Sequence, residues 1–292
     1  MPVGKKTRSV SEVIAAKSMN EGAGVPIKRP TLPVNLFDPF LMLDHFGPMD
    51  IAPGQQVGFP DHPHRGFETV TYLLQGAFEH KDSFGNHGAL KAGGIQWMTA
   101  GSGLVHSEMP AREIREKGGR VEGFQVWINL AQKDKMASPN YQDLTATQIP
   151  QVNDASGLVQ ARVIAGETLG RRGPIETRFP VSYIHFNLQP GGAISQPVAS
   201  GENAFVYVVS GQGRFGTTKL AGADDLVVFA EDGDHVAIEN PAGNRAELSV
   251  LFLAGKPLRE PVAWYGPFVM NTRNELVQAY EDYNAGRMGR IA

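Results

Sequence analysis

Phe59-Pro60-Asp61-His62-Pro63-His64-Arg65-Gly66-Phe67-Glu68-Thr69-Val70-Thr71-Tyr72-Leu73-Leu74-Gln75-Gly76 carries two signals at once. From Phe67 to Leu74 the residues are mostly β-branched, aromatic or aliphatic, as in a buried strand, and the run closes on Gly76. Ahead of it, His62 and His64 are two residues apart. In extended chain they share one face, roughly 6.5–7 Å apart. Pro63 between them has no backbone donor, which is tolerated at the start or edge of a strand.

The strand recurs. Ala204-Phe205-Val206-Tyr207-Val208-Val209-Ser210-Gly211 has the same make-up and again closes on glycine. Two copies of one small β-barrel account for both the repeat and the length of 292 residues. Further strand-like runs are Gly123 to Leu130, Val181 to Leu188, Leu226 to Phe229 and Leu248 to Leu253. The 34 glycines and 20 prolines are spread along the chain, as many short strands and turns require. The expected fold is all-β, two barrels with a few short helices. Residues 1–135 form the first domain, 136–158 a linker containing Pro139 and Pro150, and 159–292 the second. Its best helix is the last: Thr272 and Glu275 have capping-box spacing, Leu276, Tyr280 and Tyr283 follow on one face, and Gly286 stops it.

Composition narrows the function. With 27 Lys+Arg against 30 Asp+Glu the net charge is −3, which gives no global attraction to nucleic acid. The short basic groups Lys5-Lys6-Thr7-Arg8 and Arg171-Arg172 read as solvated. The absence of cysteine excludes disulfides, thiolate metal sites and a cysteine nucleophile, so a metal would rest on imidazole and carboxylate. The apolar run Val10 to Ala16 is short and broken by Glu12, and no run long enough to span a membrane occurs, so the cytoplasm is expected.

About forty residues after the first histidine pair comes Trp97-Met98-Thr99-Ala100-Gly101-Ser102-Gly103-Leu104-Val105-His106-Ser107-Glu108-Met109. His106 and Glu108 also share a strand face. Two such pairs on neighbouring strands make a pocket of three imidazoles and a carboxylate. That set suits one divalent ion such as Fe(II), Mn(II), Ni(II) or Zn(II), and is poor for Cu(I). An octahedral ion held this way keeps two positions open for substrate or dioxygen. Either pair alone would be weak evidence; together in an all-β chain they carry weight. Phe46, Phe59, Phe67, Trp97 and Met98 are candidates for a flat aromatic pocket or, equally, for barrel core. His45 could bond locally beside Asp44, and His80 and His87 flank a turn and read as exposed.

These two segments, together with Phe37-Asp38-Pro39-Phe40-Leu41 and Gly266-Pro267-Phe268-Val269-Met270-Asn271, resemble the signature segments of the pirin family. The resemblance runs from about residue 30 to the C-terminus. It implies a bicupin with one metal, iron first and Mn, Ni, Zn or Cu as alternatives. The ion would lie in the N-terminal barrel on the residues matching His62, His64, His106 and Glu108. Glu68, where other cupins place the glutamate, is the fallback ligand or an acceptor that fixes an imidazole. The second barrel has no histidine in its matching segment, Gly192 to Glu202, and is expected to be metal-free; His185 and His235 read as structural. The resemblance also implies quercetin 2,3-dioxygenase-like activity on a small flavonol-like aromatic, with Glu108 as general base. The alternative it carries is an iron-dependent regulator acting through a protein partner, without direct nucleic-acid or membrane binding.

Overall fold

The computed structural model describes residues 6–31 and 33–291. By contacts it divides into two compact units, each interrupted in sequence. One gathers the chain up to Lys17, Pro30–Asp38 and Gln148–Pro257; the other gathers Ser18–Arg29, Pro39–Thr147 and the chain from Leu258 onward. The expected division at 135 and 158 is contiguous, whereas these units interleave in sequence. The strand Val10–Ala15 pairs with Asp225–Phe229 in the C-terminal barrel, and the chain from Leu258 onward, with its helix Arg273–Asn284, belongs to the N-terminal one. Nor is 136–158 a plain linker, because Asn140–Leu144 pairs with Ile95–Thr99 and Gln151–Asn153 with Val159–Ala165.

The internal repeat is visible in the sheets. Each unit has a seven-stranded and a four-stranded antiparallel sheet. In the N-terminal barrel the larger sheet runs Asn140–Leu144, Ile95–Thr99, Phe67–Gln75, Gly119–Asn129, Phe40–Ile51, Val25–Arg29, Lys17–Glu21. The smaller runs Phe59–His64, Leu104–Pro110, Ala77–Asp82, His87–Lys91. The short helices are Val34–Phe37, Arg112–Lys117 and the C-terminal one, whose Thr272–Glu275 capping box is formed in both directions. No helix among the described residues is long and apolar enough to cross a membrane.

The C-terminal barrel is filled with hydrocarbon. Val163, Phe186, Val206, Phe215, Val236, Ile238 and Phe252 are at most 1% exposed and form one cluster. Its strand Ala193–Pro197 pairs with His235–Glu239, setting Ile194 opposite Ile238 and Gln196 opposite Val236. One basic residue behaves unexpectedly: Arg8 is fully buried, and its guanidinium donates to the carbonyls of Gly233, Glu202 and Ala199. Arg171 and Arg172 are exposed, and Lys5 lies outside the described residues.

Candidate metal centre

The N-terminal barrel lays the Phe59–His64 strand antiparallel to Leu104–Pro110, with His62 directly opposite His106 and Leu104 opposite His64. A register shift between His106 and Glu108 sets Glu108 opposite Phe59. His62, His64 and His106 each offer a ring nitrogen within 4.8 Å of the others, the only such group of three histidines or acids among the described residues. The Nε2 atoms of His62 and His64 are 3.0 Å apart. His62 is half-buried, while His64 and His106 are 2% and 1% exposed.

Burial governs the chemistry of these rings. It holds His64 and His106 well below the usual histidine pKa, and neighbouring imidazoles, His62 foremost, push the same way. Both are therefore neutral near pH 7, the form that donates a lone pair to a metal. Two further observations fit a divalent cation. Both ring nitrogens of His106 are buried without a hydrogen-bond partner, an arrangement costly unless something else engages them. Conversely, His62 Nδ1 meets the Pro60 carbonyl at 2.7 Å and His64 Nδ1 that of Pro267 at 3.4 Å, so each turns Nε2 toward the cluster.

Glu108 is 2% exposed on the same strand as His106, and its carboxylate accepts from Thr71 Oγ1 at 2.7 Å and from Gln125 Nε2 at 2.8 Å. Thr71 and Gln125 are cross-strand partners in the larger sheet, so one register pair holds both oxygens. Neither was singled out in the sequence, although the alternation Thr69-Val70-Thr71 is a polar face on an otherwise apolar strand. Glu68 points elsewhere: it has the opposite parity to Thr71, and its oxygens accept from Trp97 Nε1 and Thr99 Oγ1.

A cavity of about 590 Å³ opens beside the histidines, lined by Phe59, His62, His64, Trp127, Trp264 and Gln125 among others. Of the aromatic candidates only Phe59 lines it; Phe46, Phe67, Trp97 and Met98 are core. His45 bonds Glu122 and stacks on Phe124. His80 is buried, not exposed, whereas His87 is exposed. His185 and His235 have partners in Ser249 and Asp234.

Two family models cover most of the chain, Pirin over residues 25–128 and the Pirin C-terminal cupin domain over 183–289. The chain belongs to the pirin family. A tomato (Solanum lycopersicum) pirin-like protein is 43% identical over 97% of this chain and 94% of its own length. Human pirin is 39% identical over the same shares. Among solved structures, quercetin 2,3-dioxygenase from Acinetobacter baumannii superposes with a TM-score of 0.92 at 33% identity, covering 98% of this chain and all of that one. The pirin bicupin architecture thus stands, and its histidine cluster is suited to a divalent metal.

Proposed function

We propose that the chain is a metal-dependent dioxygenase that opens a flavonol such as quercetin, using one divalent ion, Fe(II) first, on His62, His64, His106 and Glu108. The observation that carries this is the half-buried His62 edge of the histidine cluster, which opens onto an aromatic-walled cavity of about 590 Å³. Ligand pockets typically span roughly 300–1,000 Å³. The Acinetobacter relative, named for this reaction, supports the same reading.

Once bound, the ion supplies Lewis acidity and a template on which substrate and dioxygen meet. The chain's residues do the rest. Phe59, Trp127 and Trp264 hold the flat rings, with the two indoles 5.7 Å apart. Glu108 takes the proton of the substrate hydroxyl, and Thr71 and Gln125 keep its carboxylate aimed.

The test is anaerobic reconstitution with Fe(II), admission of air, and loss of quercetin absorbance, with His62→Ala alongside. Rapid loss in the wild type alone supports the dioxygenase. If both are inert while the wild type holds one iron per chain, catalysis is refuted and regulation through protein contacts takes its place.

A further inference from the structure

His62 and His64 are oriented by the same device from very different places. The acceptor for His62 Nδ1 is Pro60, two residues away on the same strand, so it is present wherever that strand forms. The acceptor for His64 Nδ1 is Pro267, 203 residues further along the chain. It sits in the hairpin between Ala263–Tyr265 and Phe268–Met270, which also supplies Trp264 and Gly266 to the cavity wall.

That hairpin is fastened to the histidine segment at several points. Arg65 and Phe268 form a parallel bridge, with Val269 N–H donating to the Arg65 carbonyl at 3.0 Å. Gly66 is packed so closely that a Cβ there would collide with the Val269 carbonyl oxygen. Lys135, 1% exposed, donates from Nζ to the carbonyls of Gly66 (2.8 Å) and Val269 (2.9 Å) and to Asn129 Oδ1 (2.8 Å). An ammonium has three protons, and here there are three acceptors. The helix behind the hairpin contributes Asp282, whose carboxylate takes a 2.7 Å bond from the Arg65 guanidinium; Arg65 also donates to the Ser102 carbonyl.

We infer that the C-terminal segment from Leu258 onward is a working part of the metal centre: through the Pro267 carbonyl it selects the Nδ1–H tautomer of His64 and leaves Nε2 as the ligand atom, with Lys135 and Asp282 as positioning residues that hold the hairpin in place. His62 does not depend on that segment. A histidine free to choose either tautomer, or to rotate, binds metal less well, and loss of such an outer partner typically costs about 10–100-fold in affinity.

The inference rests on the metal reading only for its affinity arm. In metal-free protein labelled with ¹⁵N-histidine, long-range ¹H–¹⁵N correlations report each tautomer directly. In the wild type, Nδ1 of both His62 and His64 should carry a proton. In Lys135→Met and in Asp282→Asn, His64 should become a mixture while His62 stays unchanged, and Ni(II) affinity should fall about tenfold or more; Asp282→Glu should restore both. Should Lys135→Met fail to melt cooperatively, Asp282→Asn decides, since Asp282 lies on the outer helix. Retention of a single Nδ1–H tautomer on His64 and of Ni(II) affinity within twofold in the folded variants would overturn the inference. Wild-type protein that shows the tautomers but takes up no Ni(II) would instead refute the metal reading, and the tautomers alone would then judge the hairpin.

Discussion

Replacing Glu108 with glutamine separates a ligand from a structural carboxylate, because the surroundings of Glu108 can accept the amide. Gln125 Nε2 donates to one Glu108 oxygen and would donate equally to the amide oxygen. Thr71 donates to the other oxygen, and its hydroxyl can turn to accept from the amide N–H₂. Both contacts survive as neutral hydrogen bonds, so metal-free Glu108→Gln should lose only about 1 kcal/mol of stability. Metal binding should suffer far more. Outer partners of metal ligands are worth about 10–100-fold, so removal of a ligand charge should weaken Kd by at least about 100-fold, about 2.7 kcal/mol. Titration calorimetry with Ni(II), with thermal melts of the metal-free and loaded protein, reads both quantities. Since bound metal stabilises by RT ln(1 + [L]/Kd), the wild type should gain about 4 kcal/mol at a thousandfold excess over Kd, and the variant should lose most of that gain at the same concentration. A Kd within threefold of the wild type, with an unchanged metal-induced melting shift, would remove Glu108 from the ligand set.

Acid should destabilise the metal-free protein partly through His185, which burial, aided by the charge of Arg162, holds down at about 4. Between pH 6.5 and 4 the unfolded chain binds this proton and the folded one does not, so stability falls as pH falls, by up to about 3 kcal/mol; denaturant melts at pH 7 and 4.5 should show a smaller difference in His185→Gln. Trp264→Leu keeps the cavity apolar but removes an indole 5.7 Å from Trp127, so the flavonol KM should rise roughly 3–10-fold while Ni(II) affinity stays within threefold.

The sequence was most legible where a signal is local. Val181–Leu188 forms over the expected residues, and the Thr272 cap is as its spacing requires, because side-chain composition and capping chemistry act within a few residues. Parity sets His62 and His64 on one face, and the antiparallel pairing of their strand with Leu104–Pro110 brings His106 to them. Pairing across long distances was not legible. Nothing in Val10–Ala15 names Asp225–Phe229 as its partner, and nothing in Gly266–Pro267 announces a carbonyl aimed at His64. Arg8 failed for the same reason: its three acceptors are backbone oxygens some 190–225 residues away, which no pattern of side chains records. Flanking a turn predicts exposure for His80, yet its strand places it opposite Glu108 and it is buried.

The two barrels show what keeping a metal centre demands of this fold. Their sheets correspond, seven strands and four, so the scaffold does not distinguish them. The difference lies in a few inward positions. Where one barrel sets His62 opposite His106, the other sets Gln196 opposite Val236, and packs Val236 and Ile238 against Phe186 and Phe252. Each large hydrocarbon side chain buried there contributes roughly 1.5–3 kcal/mol, although Gln196 is itself buried with Oε1 unpartnered. The N-terminal barrel instead buries His106 with neither nitrogen bonded and His80 with Nδ1 unpartnered, each unmade bond costing about 1–3 kcal/mol. A barrel with no use for these groups would lose them to hydrocarbon, as its counterpart shows is feasible on the same sheets. Retaining them makes sense if a cation engages His106.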